Sequence, residues 1–328
     1  MKLNIKSAAH TFDTDFQPKD APKSDKELDS SRCFSLIFLH AGCFGVIWVG
    51  WSWFALWVAV FLYFTRMFAI TAFLHRYFSH RSFKTSRPMQ FLFAAAAGTA
   101  AQRGALWWAA HHRKHHKKSD NETDVHSPHT HSFLWSHMGW ITSPRNFATD
   151  YDVIKDFARF PELVYLNRFN KVVPLLLGVS LYFLGDWTAS RWPSLETSGW
   201  QIVVWGFFIS TTVLFHGTQT INSLAHIYGR RRFDTTDHSK NNLWLSLITL
   251  GEGWHNNHHH YMHSTRQGFY WWEIDPTYYG LKIMAWLGRV SDLKPEPERI
   301  LEEARIRELE KRNQNSQLSA PACPGWLE

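Results

Sequence analysis

Two long stretches without a charged residue constrain this 328-residue chain more than any other feature. No Lys, Arg, Asp or Glu occurs at positions 33–65, and none occurs between Thr197 and Gly229. A helix needs about 20 apolar residues to cross the hydrocarbon layer of a bilayer. The first stretch continues as MFAITAFL after Arg66, so it is long enough for two crossings with a turn near Gly50. The second stretch is long enough for one.

A shorter apolar stretch, 172–185, ends at Asp186 and on its own is more typical of a buried helix. We nevertheless expect it to cross the membrane, because a crossing there places every histidine cluster of the chain on the same side. The sequence therefore predicts an all-α, multi-pass membrane protein with four transmembrane helices, near 33–50, 53–74, 172–190 and 200–220.

The distribution of basic residues predicts the orientation. Positions 75–171 hold 14 Lys or Arg and the first 32 positions hold six, whereas the segment 186–199 holds only Arg191. Cytoplasmic segments of membrane proteins are enriched in Lys and Arg. We therefore expect both termini and the histidine clusters to face the cytoplasm. The net charge of +7 is explained by this orientation and by attraction to anionic lipid, rather than by nucleic-acid binding.

Three histidine clusters point to the chemistry. They are HRYFSH, HRKHH and HNNHH, and a fourth motif, NSLAH, pairs Asn222 with His226. Residues three and four apart lie on one face of a helix, so each HxxHH cluster can direct its imidazoles to one side. His75 and His80 are five apart and do not fit one helix face. We expect them either to serve different metals or to be separated by the end of the helix.

Imidazole is a good ligand for iron, copper, zinc and nickel. Nine histidines exceed the three or four ligands of one zinc site, so two metals share them better. The HExxH motif of zinc proteases is absent, and so is the ExxH pair of soluble carboxylate-bridged di-iron bundles. Cys33, Cys43 and Cys323 form no CxxC motif. A membrane-embedded two-iron centre indicates oxygen activation on an apolar chain, and Glu252 is a candidate hydrogen-bond partner of a ligand.

Local patterns predict further elements around these clusters. A short apolar helix at 91–102 should lie in or dip into the membrane, and the segment 103–116 should be a helix that carries HRKHH. The histidine-rich segment 119–140 should be an ordered loop over the site. A helix is expected within 150–171. Beyond Pro295, a charged helix with a solvated face is expected.

The segments HRYFSH, WWAAHHRKHH, SHMGW, NSLAHIYG and GEGWHNNHH resemble those of the membrane fatty acyl desaturases. The resemblance covers about Thr65 to Leu293 and is closest to the Δ9 acyl-CoA desaturase type in its bacterial form. It implies four crossings with a cytosolic helical cap, a di-iron site, and O2-dependent conversion of a saturated acyl chain to a cis-monounsaturated one. It also implies a bacterial inner-membrane location.

Carried over by position, the resemblance implies nine histidine ligands, with Asn222 holding a water on one iron. The ligands are His75, His80, His112, His115, His116, His226, His255, His258 and His259. The remaining histidines near these motifs, such as His111 and His126, are expected to serve hydrogen bonding rather than metal binding.

The chain departs from the acyl-CoA type at two places. Ala110 and His111 stand where that type carries Arg-Asp, and Gln219 stands where it carries Trp. An acyl chain on a glycerolipid or a carrier protein therefore remains an alternative to acyl-CoA. Trp108, Arg145 and Gln219 are candidate substrate contacts, with Arg145 the candidate for a phosphate group.

The chain shows no haem, iron–sulfur or GxGxxG nucleotide motif, so we expect electrons from an external donor such as a ferredoxin or a b-type cytochrome. Lys117, Lys118 and the arginines at 230–232 are candidates to attract it. Three regions are expected: a polar cytoplasmic arm at 1–32, the membrane desaturase domain at 33–293, and a charged helix with a flexible tail at 294–328.

Two other functions are compatible with parts of the pattern. A membrane di-iron hydroxylase of lipids or alkanes shares the histidine clusters and the oxygen chemistry. A non-catalytic metal-binding or transport protein would also use histidines, but it predicts ionisable residues along a pathway inside the crossings. Arg66, Asp186, His40 and His216 are the few ionisable residues available there.

Overall fold

The computed structural model describes Asp13 and residues 28–318; the rest of the predicted N-terminal arm and the end of the tail, with Cys323, lie outside the described residues. The α-helices of the first half are α1 (Ser30–Cys43), α2 (Val46–Val49), α3 (Trp53–Phe68), α4 (Arg87–Gly98), α5 (Ala105–Lys118), α6 (Trp140–Thr142), α7 (Lys155–Ala158) and α8 (Pro161–Arg168). Those of the second half are α9 (Val172–Arg191), α10 (Gly199–Ile202), α11 (Ser210–Ser223), α12 (Leu243–Ile248), α13 (His255–His260), α14 (Pro276–Trp286) and α15 (Glu298–Leu318).

Shorter helical types and one small sheet complete the fold. The π-helices are Ala69–Ser79, Trp135–Gly139 and Val203–Ile209, and the 3-10 helices are Pro144–Asn146, Pro193–Leu195 and Leu224–His226. Strands β1 (Lys84–Thr85) and β2 (Val290–Ser291) pair antiparallel, with Lys84 opposite Ser291.

Four helical segments of the described chain are long and apolar enough to cross a membrane, which confirms the predicted number. They are Arg32–Val49, Trp53–Ser79, Val172–Arg191 and Gly199–His226. The turn between the first two lies where it was predicted: Gly50 has a φ of +64°, a conformation that glycine adopts without a steric penalty. The hydroxyl of Ser52 then accepts a hydrogen bond from the Ala55 amide and caps the start of α3.

A helical cap lies at one end of these segments. The helix of the second crossing continues beyond Phe68 as the π-helix Ala69–Ser79, whose residues are all buried. It packs against α4 and α5 around a core of Phe78, Phe93 and Leu106. This packing holds the first two histidine clusters against each other, because the π-helix leads to one cluster and α5 carries the other.

Two of the predicted elements differ in detail. The helix expected within 150–171 is two short helices, α7 and α8, because Pro161 cannot continue the hydrogen-bonding pattern of a preceding helix and starts a new one. The apolar helix predicted at 91–102 spans Arg87–Gly98 instead. The charged helix α15 has the predicted solvated face, and on its other face Ile300 and Ala304 are buried against Phe233 and Phe269.

A buried arginine ties two crossings to the cap. The side chain of Arg66 is on α3 and only 2% exposed. Its guanidinium donates to the hydroxyls of Thr211 and Ser210, both at 2.6 Å, and to three backbone carbonyls, including that of Thr99 after α4. No carboxylate of the described residues forms an ion pair with it. A charge inside a membrane segment is costly, so its retention depends on this complete set of neutral acceptors.

We expect Arg66→Met to lower the thermal unfolding midpoint of the detergent-solubilised protein markedly. The substitution removes five hydrogen bonds from a charged donor to buried acceptors, and a hydrogen bond of a charged group contributes about 1.5–3 kcal/mol. The matched control is Arg191→Met, at the exposed end of α9. Equal midpoints for the two variants in a fluorescence melting assay would contradict the structural role of Arg66.

Candidate metal centre

Five histidines from three parts of the chain converge at the C-terminal end of the second crossing. His75 is on the π-helix, His80 follows it, His112 and His116 are on α5, and His258 is on α13. One ring nitrogen of each lies within 4.8 Å of the others. The i, i+4 spacing of His112 and His116 places both on the same face of α5, as the sequence predicted.

His75 and His80 belong to this one group. Of the two alternatives predicted for them, the one in which the helix ends between them is confirmed. The π-helix ends at Ser79, and its wider turn brings a residue five positions on near the same side. The Nε2 atoms of His80 and His112 are 2.9 Å apart.

A second group of four histidines adjoins the first. It contains His115 of α5, His226 of the 3-10 helix after α11, and His255 and His259 of α13. The two groups share α5 and α13, so each HxxHH cluster contributes to both. The ring centroids of His116 and His259, one from each group, are 4.4 Å apart. The structure thus brings all nine predicted histidines into two adjacent groups.

Four of the nine imidazoles pair with a carboxylate through Nδ1. The Nδ1–H groups of His115, His226 and His259 donate to Asp124, Asp120 and Asp237 at 3.0, 2.7 and 2.6 Å. His75 pairs in the same way with Glu252, which is 7% exposed. Glu252 also accepts from Arg76 at 3.2 Å. A carboxylate at Nδ1 fixes the tautomer and directs the lone pair of Nε2 toward the group.

The pKa values fit this assignment. Burial opposes ionisation of the four carboxyl groups, but their imidazole partners and hydrogen bonds outweigh it and lower the pKa of each one. Burial, reinforced by the neighbouring imidazoles, lowers the pKa of His112, His116, His255 and His258. These four rings are therefore neutral at neutral pH, which is the state that binds a metal.

The contacts among the Nε2 atoms test whether a metal fits. In the group of five, four Nε2···Nε2 distances of 2.9–3.0 Å form one continuous chain. A neutral imidazole nitrogen carries either one hydrogen or one lone pair, so each nitrogen inside the chain can satisfy only one of its two contacts by a normal hydrogen bond. Neighbouring nitrogens of a six-coordinate ion with bonds of about 2.1 Å lie about 3.0 Å apart, and those of a tetrahedral ion about 3.4 Å apart. The nitrogens therefore fit a cation with more than four ligands.

Two cavities meet beside these groups. One lies between them and is lined by His75, His112, His115 and His255 together with Met67, Ile70 and Ile221. The other is lined by Trp107, Trp140, Ile141 and Gln219 among others. Trp108, His112, Thr218 and Asn222 line both. Most of the exposed surface of the first cavity is apolar, whereas polar and apolar groups contribute similar shares to that of the second. A mostly apolar surface with a few polar groups is typical of a site for an apolar ligand, so the first cavity is the better candidate.

The candidate substrate contacts have different positions. Trp108 forms part of the wall common to both cavities and stacks on His112, with ring centroids 4.8 Å apart. Gln219 lines the second cavity and accepts from the Trp140 indole and from the Asn222 amide. Arg145 is exposed and does not line either cavity.

Several residues around the site were not predicted from the sequence. Asp120, Asp124 and Asp237 are the partners of three imidazoles, and His111 and His126 line the second cavity. The three aspartates lie in the polar segments SDNETD and FDTTDH, which look like ordinary turns. The sequence feature that could have predicted them is the presence of acidic residues in loops adjacent to histidine clusters, because ligand histidines commonly donate to carboxylates.

The family model and the similar proteins all concern desaturases. The family model for fatty acid desaturases matches residues 51–284. An sn-1 stearoyl-lipid 9-desaturase of Anabaena variabilis is 35% identical over 78% of this chain and 90% of its own length. An sn-2 palmitoyl-lipid 9-desaturase of Nostoc is 35% identical over 75% and 84%. An acyl-CoA 5-desaturase of Anemone leveillei is 33% identical over 85% and 87%.

We expect Asp237→Asn to lower the metal affinity of the protein about 10–100-fold, because the amide no longer stabilises the tautomer in which the Nε2 of His259 is free to bind. The measurement is metal content by mass spectrometry after equilibration with graded chelator concentrations. Asp152→Asn, which changes an exposed carboxylate outside both groups, is the control and should retain its metal. Retention of metal by both variants would contradict the assignment.

Proposed function

This chain belongs to the fatty acid desaturase family, and from that premise we propose that it inserts a cis double bond at the Δ9 position of an acyl chain carried on a membrane glycerolipid. As a member, it is an oxidoreductase that acts on fatty acyl chains. The observation that carries the finer proposal is the cavity between the two histidine groups. An apolar chain in that cavity has imidazoles of both groups on its walls.

The proposed metals are two iron ions. His75, His80, His112, His116 and His258 would hold one, and His115, His226, His255 and His259 the other. Bound there, iron would supply the redox chemistry that activates O2 and removes two hydrogens from the acyl chain. The nitrogen-rich donor set suits iron, copper, zinc and nickel. Desaturation is a redox reaction, which excludes zinc as the catalytic ion because zinc does not change oxidation state.

Four carboxylates of the protein keep their imidazole partners in the tautomer that binds a metal. Asp120, Asp124, Asp237 and Glu252 keep a proton on Nδ1 of their partners, so that Nε2 remains unprotonated. Asn222 lines both cavities, and its amide nitrogen donates to Gln219 at 2.9 Å. Its Oδ1 is therefore the atom available to a water beside the second group, which is the role we propose for Asn222.

The cavity walls position the acyl chain. Trp108 packs against the rings of His112 and His75, so it presents a rigid apolar surface beside the five-histidine group. Trp107 and Trp140 stack with ring centroids 5.7 Å apart and form a second wall. Ordered aromatic walls exclude water and hold a flexible chain in one conformation, which lowers the entropic cost of reaching the reactive geometry.

Two observations favour a glycerolipid over acyl-CoA as the carrier. Ala110 and His111 offer no cation where the acyl-CoA type has Arg-Asp, and the pKa of His111, lowered to about 3 chiefly by burial, keeps that ring neutral. The two relatives at 35% identity described above carry names that specify lipid-bound chains.

We further propose that the histidine-bearing cap faces the cytoplasm and rests on the membrane surface. Trp244 of α12 and Trp286 of α14 are 75% and 83% exposed, as expected for tryptophans at a bilayer interface. The hydroxyl of Tyr63, on the second crossing, donates to the carbonyl of Ile248 at 2.8 Å. This contact holds α12 against that crossing. Electrons would come from an external one-electron donor.

The test is expression in a host that cannot make unsaturated fatty acids, followed by mass spectrometry of its lipids. We expect acyl chains that have lost two hydrogens, with the double bond at the Δ9 position. Membranes supplied with isotope-labelled saturated chains should convert the glycerolipid-bound label rather than the CoA-bound label.

The control variants for this test are His115→Ala, which should abolish the product, and His131→Ala, which removes an imidazole outside both groups and should retain it. Addition of one oxygen atom would instead identify a lipid hydroxylase. Unchanged lipids together with a protein that holds no iron would contradict the enzymatic proposal.

A separate prediction concerns the cavity. We expect Ile221→Trp to reduce product formation at least about tenfold, because an indole fills space that the acyl chain needs. Metal content should stay at the wild-type level, since Ile221 is not in either histidine group. Ile221→Val, which shortens the same side chain, should retain most activity. Full activity of Ile221→Trp would show that the acyl chain lies elsewhere.

A further inference from the structure

An open groove crosses the cap on a side separate from the two cavities. Its walls come from the segment 77–90 after the second crossing, from α7 and the residues after it, and from the segment around β2. It shares no lining residue with either cavity. The groove and the proposed acyl site therefore approach the metal centre from different directions.

The groove is strongly basic. Its lining includes five cationic side chains and two acidic ones: Arg81, Lys84, Arg87, Arg159, Lys294, Asp156 and Asp292. Arg81 and Lys84 pair with the two acidic residues, and Arg87 pairs with Glu162. Within residues 28–318, Arg159 and Lys294 form no ion pair. The surface keeps an excess of positive charge that attracts a negatively charged partner.

The wall of the groove contains a member of the five-histidine group. His80 lines the groove and is 8% exposed, and its Nε2 is 2.9 Å from that of His112 inside the group. Tyr77 and Phe157 lie beside it in the lining. A redox partner seated in the groove would thus be separated from the proposed metal only by the imidazole that binds it.

Resting on the proposed function, we propose that this groove is the docking surface for the electron donor, an acidic one-electron carrier protein. Loss of two hydrogens from one CH2–CH2 unit supplies two electrons, whereas reduction of O2 to two waters takes four electrons and four protons. Two reduced carriers, each oxidised by one electron, and two protons from solvent complete the balance. Separate faces allow the carrier to exchange while the acyl chain stays bound.

The test measures binding directly. The full-length protein in lipid nanodiscs is titrated with two acidic probes, a plant-type [2Fe–2S] ferredoxin and the soluble domain of a b5-type cytochrome. We expect at least one to bind at low ionic strength and to weaken with added salt. The double variant Lys84→Glu/Arg159→Glu should weaken that binding about tenfold or more, and Lys84→Gln/Arg159→Gln should weaken it less.

The matched comparison is Lys282→Glu/Arg305→Glu, which reverses two exposed cations of α14 and α15 outside the groove. We expect its carrier affinity to remain within about twofold of wild type, as for charges outside a contact. Loss of binding in this variant with full binding by the groove variants would overturn the proposal. Failure of both probes to bind the wild type at low ionic strength would also overturn it.

A second readout separates docking from catalysis. The Lys84→Glu/Arg159→Glu protein should lose carrier-supported product formation but keep it with reduced methyl viologen, a small reductant that needs no protein-docking surface. Loss with both reductants, at unchanged thermal midpoint and metal content, would overturn the docking role. A wild type that forms no product with either reductant would instead count against the proposed function, whatever the binding result.

Discussion

The pairing of buried imidazoles with buried carboxylates is the interaction on which the rest of this structure depends. Five Nε2 atoms within a few ångströms of one another form an arrangement that hydrogen bonds alone cannot satisfy. Glu252 accepts the Nδ1–H of His75 in this group, and Asp120, Asp124 and Asp237 accept that of three rings in the second group. A cation at the centre of each group would bind the Nε2 lone pairs. The carboxylates thus make a metal-binding arrangement compatible with a folded protein.

These carboxylates need support of their own because buried charges are costly. Arg76, which is 1% exposed, pairs with both Glu252 and Asp275. Asp275 also caps the start of α14, where its side chain accepts a hydrogen bond from the backbone amide of Tyr278 at 3.0 Å. The ion-pair network therefore links the second crossing, the loop before α13 and the start of α14. Loss of one member leaves a buried charge uncompensated, so the site and the cap are expected to be stable or unstable together.

The fold also separates the two cavities from the basic groove, although all three adjoin the histidine groups. The two cavities reach these groups between α5 and α11, and the one between the histidine groups has a mostly apolar surface, whereas the basic groove reaches them at the end of the π-helix. An acyl chain and a charged protein have opposite requirements for their binding surfaces, since one needs water excluded and the other needs exposed charge. The division places an apolar site and a charged surface next to the same imidazoles without either disrupting the other.

The sequence by itself determined the four crossings, the helix of the second cluster and the nine histidines, because long uncharged stretches and i, i+4 spacings are local patterns. It did not determine how those histidines divide into groups. His115 and His116 are neighbours on one helix yet belong to different groups, and His75 and His80 belong to one group across the end of a π-helix. Only the tertiary structure decided this division, together with the aspartate partners, because both depend on how distant segments pack and not on spacing along the chain.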